Sequence, residues 1–178
     1  MSSYAAIKKT DIANGTGVRV SVFLSGCPHH CQGCFNREAW DYDYGQPVTW
    51  TMLQEVQEAL DKPWIDGLTM LGGEPMAPEN LQATMLMVSM AKGMDKTVWI
   101  YSGYTWEELT KDGDSGRHRM DILRKCDVLV DGRFIQSLAD KRLAFRGSSN
   151  QRIINVPASI QTGSVVIMKN FKTGGNTE

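Results

Sequence analysis

The chain has 178 residues and carries 19 Lys plus Arg against 20 Asp plus Glu, a formal charge of −1, which excludes the strongly basic field that holds nucleic acid. That length suits one domain, residues 1–178, and leaves no room for a second. The opening Met1-Ser-Ser-Tyr-Ala-Ala-Ile-Lys-Lys lacks the apolar core of a secretory signal, and no apolar run approaches the roughly 18 residues of a membrane span, so a soluble, cytoplasmic protein is expected.

Val18 to Leu24 is an apolar run that reads as a first strand, and the loop Cys27-Pro-His-His-Cys-Gln-Gly-Cys34 follows it. Thr51-Met-Leu-Gln has the spacing of a capping box and opens a helix reaching about Leu60, with Pro63 just beyond. Leu68 to Leu71 is a second strand, stopped by Gly72-Gly73-Glu74-Pro75. Asn80 to Ala91 is a Met- and Leu-rich helix ended near Gly93, its methionines serving as core filler.

Thr97 to Tyr101 is a third strand with Ser102-Gly103 turning out of it. Thr105-Trp-Glu-Glu then caps another helix, with Glu108 placed to reach back to the Thr105 backbone. A Gly- and Asp-rich loop, Lys111 to Gly116, precedes a helical stretch from about Arg117 to Lys125. Val128 to Val130 is a fourth strand ending in Asp131-Gly132. Arg152 to Val156 and Val165 to Met168 read as late strands, and the tail from Lys172 as mobile.

Alternation of short β-rich runs with helices is the pattern of β/α units on a mainly parallel sheet. A complete eight-unit barrel needs about 200 residues or more, so an incomplete, open β/α barrel is expected. The cysteine loop and the turns at Gly72, Ser102 and Asp131 all follow strands. They therefore meet on one carboxyl-end rim, where such folds place ligands.

Clustered cysteines in a reducing compartment bind metal or do redox chemistry more often than they form disulfides. Cys27, Cys31 and Cys34 can converge on one inorganic core, yet three thiolates leave a four-ligand site with an open position. His30 or Cys126 could close it as a zinc site in a binding module without catalysis, although Cys126, at the head of Cys-Asp-Val-Leu-Val-Asp, reads as a buried hydrophobe.

The spacing CxxxCxxC after the first strand, followed by Gly-Gly-Glu-Pro after the second, resembles the radical S-adenosylmethionine (SAM) superfamily. The resemblance implies an open barrel of radical SAM type, with a [4Fe-4S] cluster on Cys27, Cys31 and Cys34 and SAM chelating the fourth iron. It assigns the SAM amino group to the turn at Gly72, Gly73 and Glu74, with Glu74 either orienting the turn or accepting from the ammonium. The superfamily usually carries an aromatic residue just before the third cysteine. Here that place is Gly33, and the aromatic, Phe35, comes just after Cys34. Both are candidates for lining the nucleoside, with core packing the alternative for Phe35. Ser102 and Asp131 are placed to bond the SAM carboxylate or ribose, or else to cap the structure after them.

Within the superfamily, residues 17–27, 102–109, 127–134 and 146–154 are similar to the activating proteins of anaerobic ribonucleoside-triphosphate reductases. Membership would imply a protein partner, the large reductase subunit, on which a glycyl radical is made, and a low-potential electron donor. An activase of another glycyl-radical enzyme, such as pyruvate formate-lyase, would share the chemistry. The basic residues Lys141, Arg142, Arg146 and Arg152 could face a partner or an anion, with a solvated charge run the default.

Overall fold

A computed structural model describes residues 2–111 and 113–168. Its strands are β1 (Ser3–Asp11), β2 (Arg19–Leu24), β3 (Gln46–Pro47), β4 (Gly67–Gly72), β5 (Thr97–Ser102), β6 (Val128–Asp131) and β7 (Arg152–Asn155). The helices are α1 (Trp50–Leu60), α2 (Leu81–Gly93), α3 (Trp106–Leu109), α4 (Asp114–Leu123) and α5 (Val156–Thr162).

The strands form one sheet in the order β3-β1-β2-β4-β5-β6-β7. Its centre is parallel, β2 to β4 to β5 to β6, because helices intervene between those strands and carry the chain back to the same end. Its flanks are antiparallel: β1 pairs with β2 and with β3, and β7 pairs with β6. With β3 and β7 at opposite edges, the sheet is mixed and not closed.

The four central strands fall where their apolar runs predict. Elsewhere the structure differs from the expectation. Strand β1 was not anticipated: Lys8 and Lys9 interrupt its apolar character, as befits a flank strand with much of its length exposed. Helix α1 starts at Trp50, and its cap is Thr49, whose hydroxyl accepts from the Met52 N–H, so Thr51 lies inside the first turn. Helix α4 spans Asp114–Leu123, starting and ending earlier than the stretch from Arg117 to Lys125. Of the strand expected over 165–168, a single bridge remains, Ile167 to Ile154. The Thr105–Glu108 capping box is present as expected, on a helix of only four residues. The expectation of a mobile tail from Lys172 falls outside the described residues.

Strand alternation sends Val20, Val22 and Leu24 toward the helices, where they join Leu68, Met70, Ile100 and Leu129 against Val56, Leu60, Met87 and Val88 in the main core. Met87 is buried in that core, with Met85 and Met90 packed at its margin. Trp99, Val128, Val130 and Ile153 form a smaller cluster with Tyr101 and Phe145. No helix among the described residues is long and apolar enough to cross a membrane.

Candidate functional site

The chain leaves β2 at Ser25-Gly26, where Gly26 takes a φ of 87° and a Cβ would strike the Tyr42 ring. The loop that follows is held by its backbone. Gly26 N–H donates to the Ala39 carbonyl at 2.9 Å, Cys27 N–H to Trp40 at 3.2 Å, and Cys34 N–H to Cys31 at 3.1 Å. Residues 37–40 form a short 3-10 turn that closes it, with Trp40 stacked on His30 at 4.7 Å.

Cys27, Cys31 and Cys34 are half-buried and line one cavity of about 420 Å³ together with Phe35, Gly72 and Gly73. That volume is in the range of small-molecule sites, roughly 300 to 1,000 Å³. Each sulfur has backbone N–H groups directed at it: those of His29 and His30 at Cys27, that of Phe134 at Cys31, and that of Asn36 at Cys34, 3.4 Å away. Such donors favour a thiolate over a thiol. Burial opposes them, pushing the Cys27 thiol up to about 11 and the Cys31 thiol upward as well. A bound metal centre removes that conflict by deprotonating its thiols.

The thiols share the cavity without meeting at a point. Among the described residues, no group of three or more His, Cys, Asp or Glu is gathered as it would be around one metal ion. An iron-sulfur cubane offers each thiolate a separate iron corner, so this donor set suits a cluster better than a single zinc. The candidates for a fourth ligand are engaged elsewhere. Cys126 is buried in the main core, its Sγ–H donating to the Val128 carbonyl at 3.1 Å. His30 lies on Trp40, and His29 is bonded to Glu74.

The turn after β4 is strapped to the start of the loop. Gly73 N–H donates to Leu24 O at 2.7 Å and Glu74 N–H to Gly26 O at 2.8 Å. Cβ atoms at Gly72 and Gly73 would lie 2.6 Å from the carbonyl oxygens of Leu24 and Gly26 respectively. The two glycines therefore bring two backbones together, and their remaining side borders the cavity. Asn80, fully buried, reinforces the same junction: its Nδ2 donates to Ser25 O at 2.9 Å and to Glu74 O at 3.1 Å.

Glu74 is fully buried and accepts four hydrogen bonds, from Met76 N and Ser102 Oγ on Oε1 and from Gly103 N and His29 Nε2 on Oε2, all between 2.7 and 2.9 Å. Four is about the full acceptor capacity of a carboxylate. Ser102 borders the cavity while donating to Glu74 and accepting from Tyr104 N–H.

Asp131 and Gly33 are not among the lining residues. Asp131, fully buried, accepts from Trp106 N–H at the start of α3 and from Arg152, which also pairs with Glu107. Gly33, at φ 74°, has the Gln136 side chain where its Cβ would stand. Phe35 is 81% exposed at the cavity mouth, its ring 5.5 Å from that of Phe134. Of the basic segment, Arg152 is committed to its carboxylates, Arg142 pairs with Asp140, and Arg146 donates to Gln151 O.

Sequence reasoning passed over His29, treated as spacer between ligands, and Asn80, treated as the first residue of a helix. The signal available for Asn80 was its place after Pro78, one residue before the apolar helix, where an amide serves as a bridge or cap.

A model of a 4Fe-4S single cluster domain matches residues 13–154. The chain is 36% identical over 153 residues to the anaerobic ribonucleoside-triphosphate reductase-activating protein of Enterobacteria phage T4, covering 85% of this chain and 92% of that protein. It is 39% identical over 155 residues to the protein of the same name from Pasteurella multocida, covering 85% and 96%. To that of Escherichia coli strain K12 it is 36% identical over 153 residues, covering 84% and 96%. With a cluster-domain match across the fold and relatives of one name aligned over nearly their whole length, this chain belongs to the family of anaerobic ribonucleoside-triphosphate reductase-activating proteins.

Proposed function

We infer that the chain is a radical SAM activase whose single domain makes a glycyl radical on the large subunit of an anaerobic ribonucleoside-triphosphate reductase, the enzyme named in its relatives. The open sheet is then the incomplete barrel of the radical SAM type. Cys27, Cys31 and Cys34 hold a [4Fe-4S] cluster, leaving one iron for SAM. The observation that carries this is the shared cavity, in which three thiols, each met by backbone N–H, stand beside the glycine turn.

When bound and reduced by a low-potential donor, the cluster supplies one electron that breaks the sulfonium carbon–sulfur bond of SAM, giving methionine and a 5'-deoxyadenosyl radical that takes a hydrogen atom from the target glycine.

The chain's own residues bind and orient. Backbone N–H groups at the three sulfurs offset thiolate charge and tune the cluster potential. The polar main-chain groups of Gly72 and Gly73 are free of side-chain cover on the cavity side and suit the SAM ammonium. Glu74, its acceptor sites filled from within the chain, orients that turn, and Ser102 is held through it. Phe35 offers a flat apolar face at the mouth for adenine. The mouth is open to solvent, as entry of a loop from another protein requires.

Anaerobic reconstitution with iron and sulfide is expected to give a brown protein that releases 5'-deoxyadenosine from SAM under reduction and raises a glycyl-radical signal on the reductase. A triple Cys→Ala variant with undiminished turnover would refute the assignment. So would a native protein holding about one zinc with neither iron nor sulfide, the composition of a structural site. A glycyl radical raised on pyruvate formate-lyase and not on the reductase would move the partner and keep the chemistry.

A further inference from the structure

On the cluster assignment just made, we propose that His29 is a positioning residue, which through Glu74 locks the cysteine loop in register with the Gly72–Gly73 turn and the end of β5. Its Nε2 donates to Glu74 Oε2 at 2.8 Å, and the two side chains are 5% and 1% exposed. The other three donors to Glu74 come from the turn itself, through Met76 N–H, and from the end of β5, through Ser102 Oγ and Gly103 N–H. Three separate segments thus share one carboxylate. The cysteine loop contributes only His29 to it.

The imidazole is boxed in from the remaining sides. A Cβ at Gly103 would lie 2.3 Å from His29 Cδ2, so the ring fills the space that any side chain at 103 would need. Gly103 has no positive φ, which makes space and not backbone freedom the reason for glycine there. Tyr104 meets the ring edge-on at 4.4 Å. The Arg119 guanidinium lies 4.4 Å above the tyrosine and donates through Nε to Met76 O, tying α4 into the same turn.

Register matters because His29 stands between Cys27 and Cys31, and its own N–H is one of those directed at the Cys27 sulfur. A rotation of this residue moves that N–H and the adjoining thiols together. A spacer would tolerate any polar side chain at this position. A buried donor to a buried carboxylate would not, because its loss leaves an acceptor unpaired.

His29→Phe keeps the ring volume and removes the donor, and His29→Gln keeps a donor. In cluster-free protein, His29→Phe is expected to raise the alkylation rate of Cys27 and Cys31 by roughly 10- to 100-fold, the usual cost of losing an outer hydrogen bond to a metal ligand set. His29→Gln should return the rate close to wild type. In reconstituted protein, the change that SAM causes in the electron paramagnetic resonance spectrum of the reduced cluster should weaken in His29→Phe and recover in His29→Gln.

Wild-type alkylation in His29→Phe overturns the proposal. Faster alkylation with an unaltered response to SAM also overturns it, since the ring would then be mere filling. If the wild-type cluster itself ignores SAM, the SAM assignment falls, and the alkylation rates alone decide the role of His29. Should His29→Phe not fold, Gly103→Ala displaces the ring from the other side and is judged by the same readouts.

Discussion

The two ends of the parallel strands each bury one charged side chain, and they use it in opposite ways. At the amino end, Arg19 is 1% exposed and donates five hydrogen bonds: to the Thr69 and Thr97 hydroxyls and to the carbonyls of Thr16, Leu68 and Thr97. Its guanidinium also lies 5.7 Å from the Trp99 ring, and burial pulls it down to about 10. At the carboxyl end, Glu74 accepts its four bonds beside a cavity. One group ties neighbouring strands together where the cavity does not reach. The other braces the cavity wall. Full hydrogen-bonding satisfaction is common to both, so it does not by itself mark a functional group; the cavity beside it does.

The sharpest way to break this contrast is at the thiols. Replacing any one of Cys27, Cys31 or Cys34 by Ala is expected to take SAM cleavage to background while shifting the stability of the cluster-free protein by under about 1 kcal/mol, as read by urea unfolding. A large loss of stability would mean that the rim is structural like the opposite end. Arg19→Met should do the reverse, costing about 3 kcal/mol because five acceptors lose their donor, with cluster content per folded molecule unchanged. Gly73→Ala tests the junction between them: its methyl would press on the Gly26 carbonyl, and about 2 kcal/mol of destabilisation is expected from such overpacking.

The smallest effect lies on the flank. Arg152, through its hydrogen bonds, holds the largely exposed Glu107 carboxyl at about 2, against an ordinary 4.5. A carboxyl lowered in the folded state adds stability above pH 4.5 and loses it as pH falls toward 2. Solvent screening limits the effect to under about 1 kcal/mol. Glu107→Gln should therefore flatten the unfolding profile only slightly across that window, and a larger change would mean that Asp131, which shares Arg152, was disturbed too.

The central strands were legible because each is a continuous apolar run, as burial on both faces demands, and each ends in a turn residue. The flanks were not. Strand direction depends on partners far along the chain, so nothing within Arg152–Asn155 reveals that it runs antiparallel to β6. The thiols and the glycine turn stood out through spacing. His29 did not, since its partner lies 45 residues away and only folding brings Glu74 to it. Asp131 illustrates the converse: a polar residue at the right rim, turned by Arg152 and the Trp106 N–H away from the cavity it was expected to face.

Cys126 gives the chain an internal gauge of its own integrity. Its thiol is enclosed by the core, and burial raises it far from reactivity, while its three counterparts border a cavity. A reagent that counts sulfhydryls would register three in an intact, cluster-free molecule and four once the sheet comes apart, so oxidative damage at the working end can be told from collapse of the scaffold in a single titration.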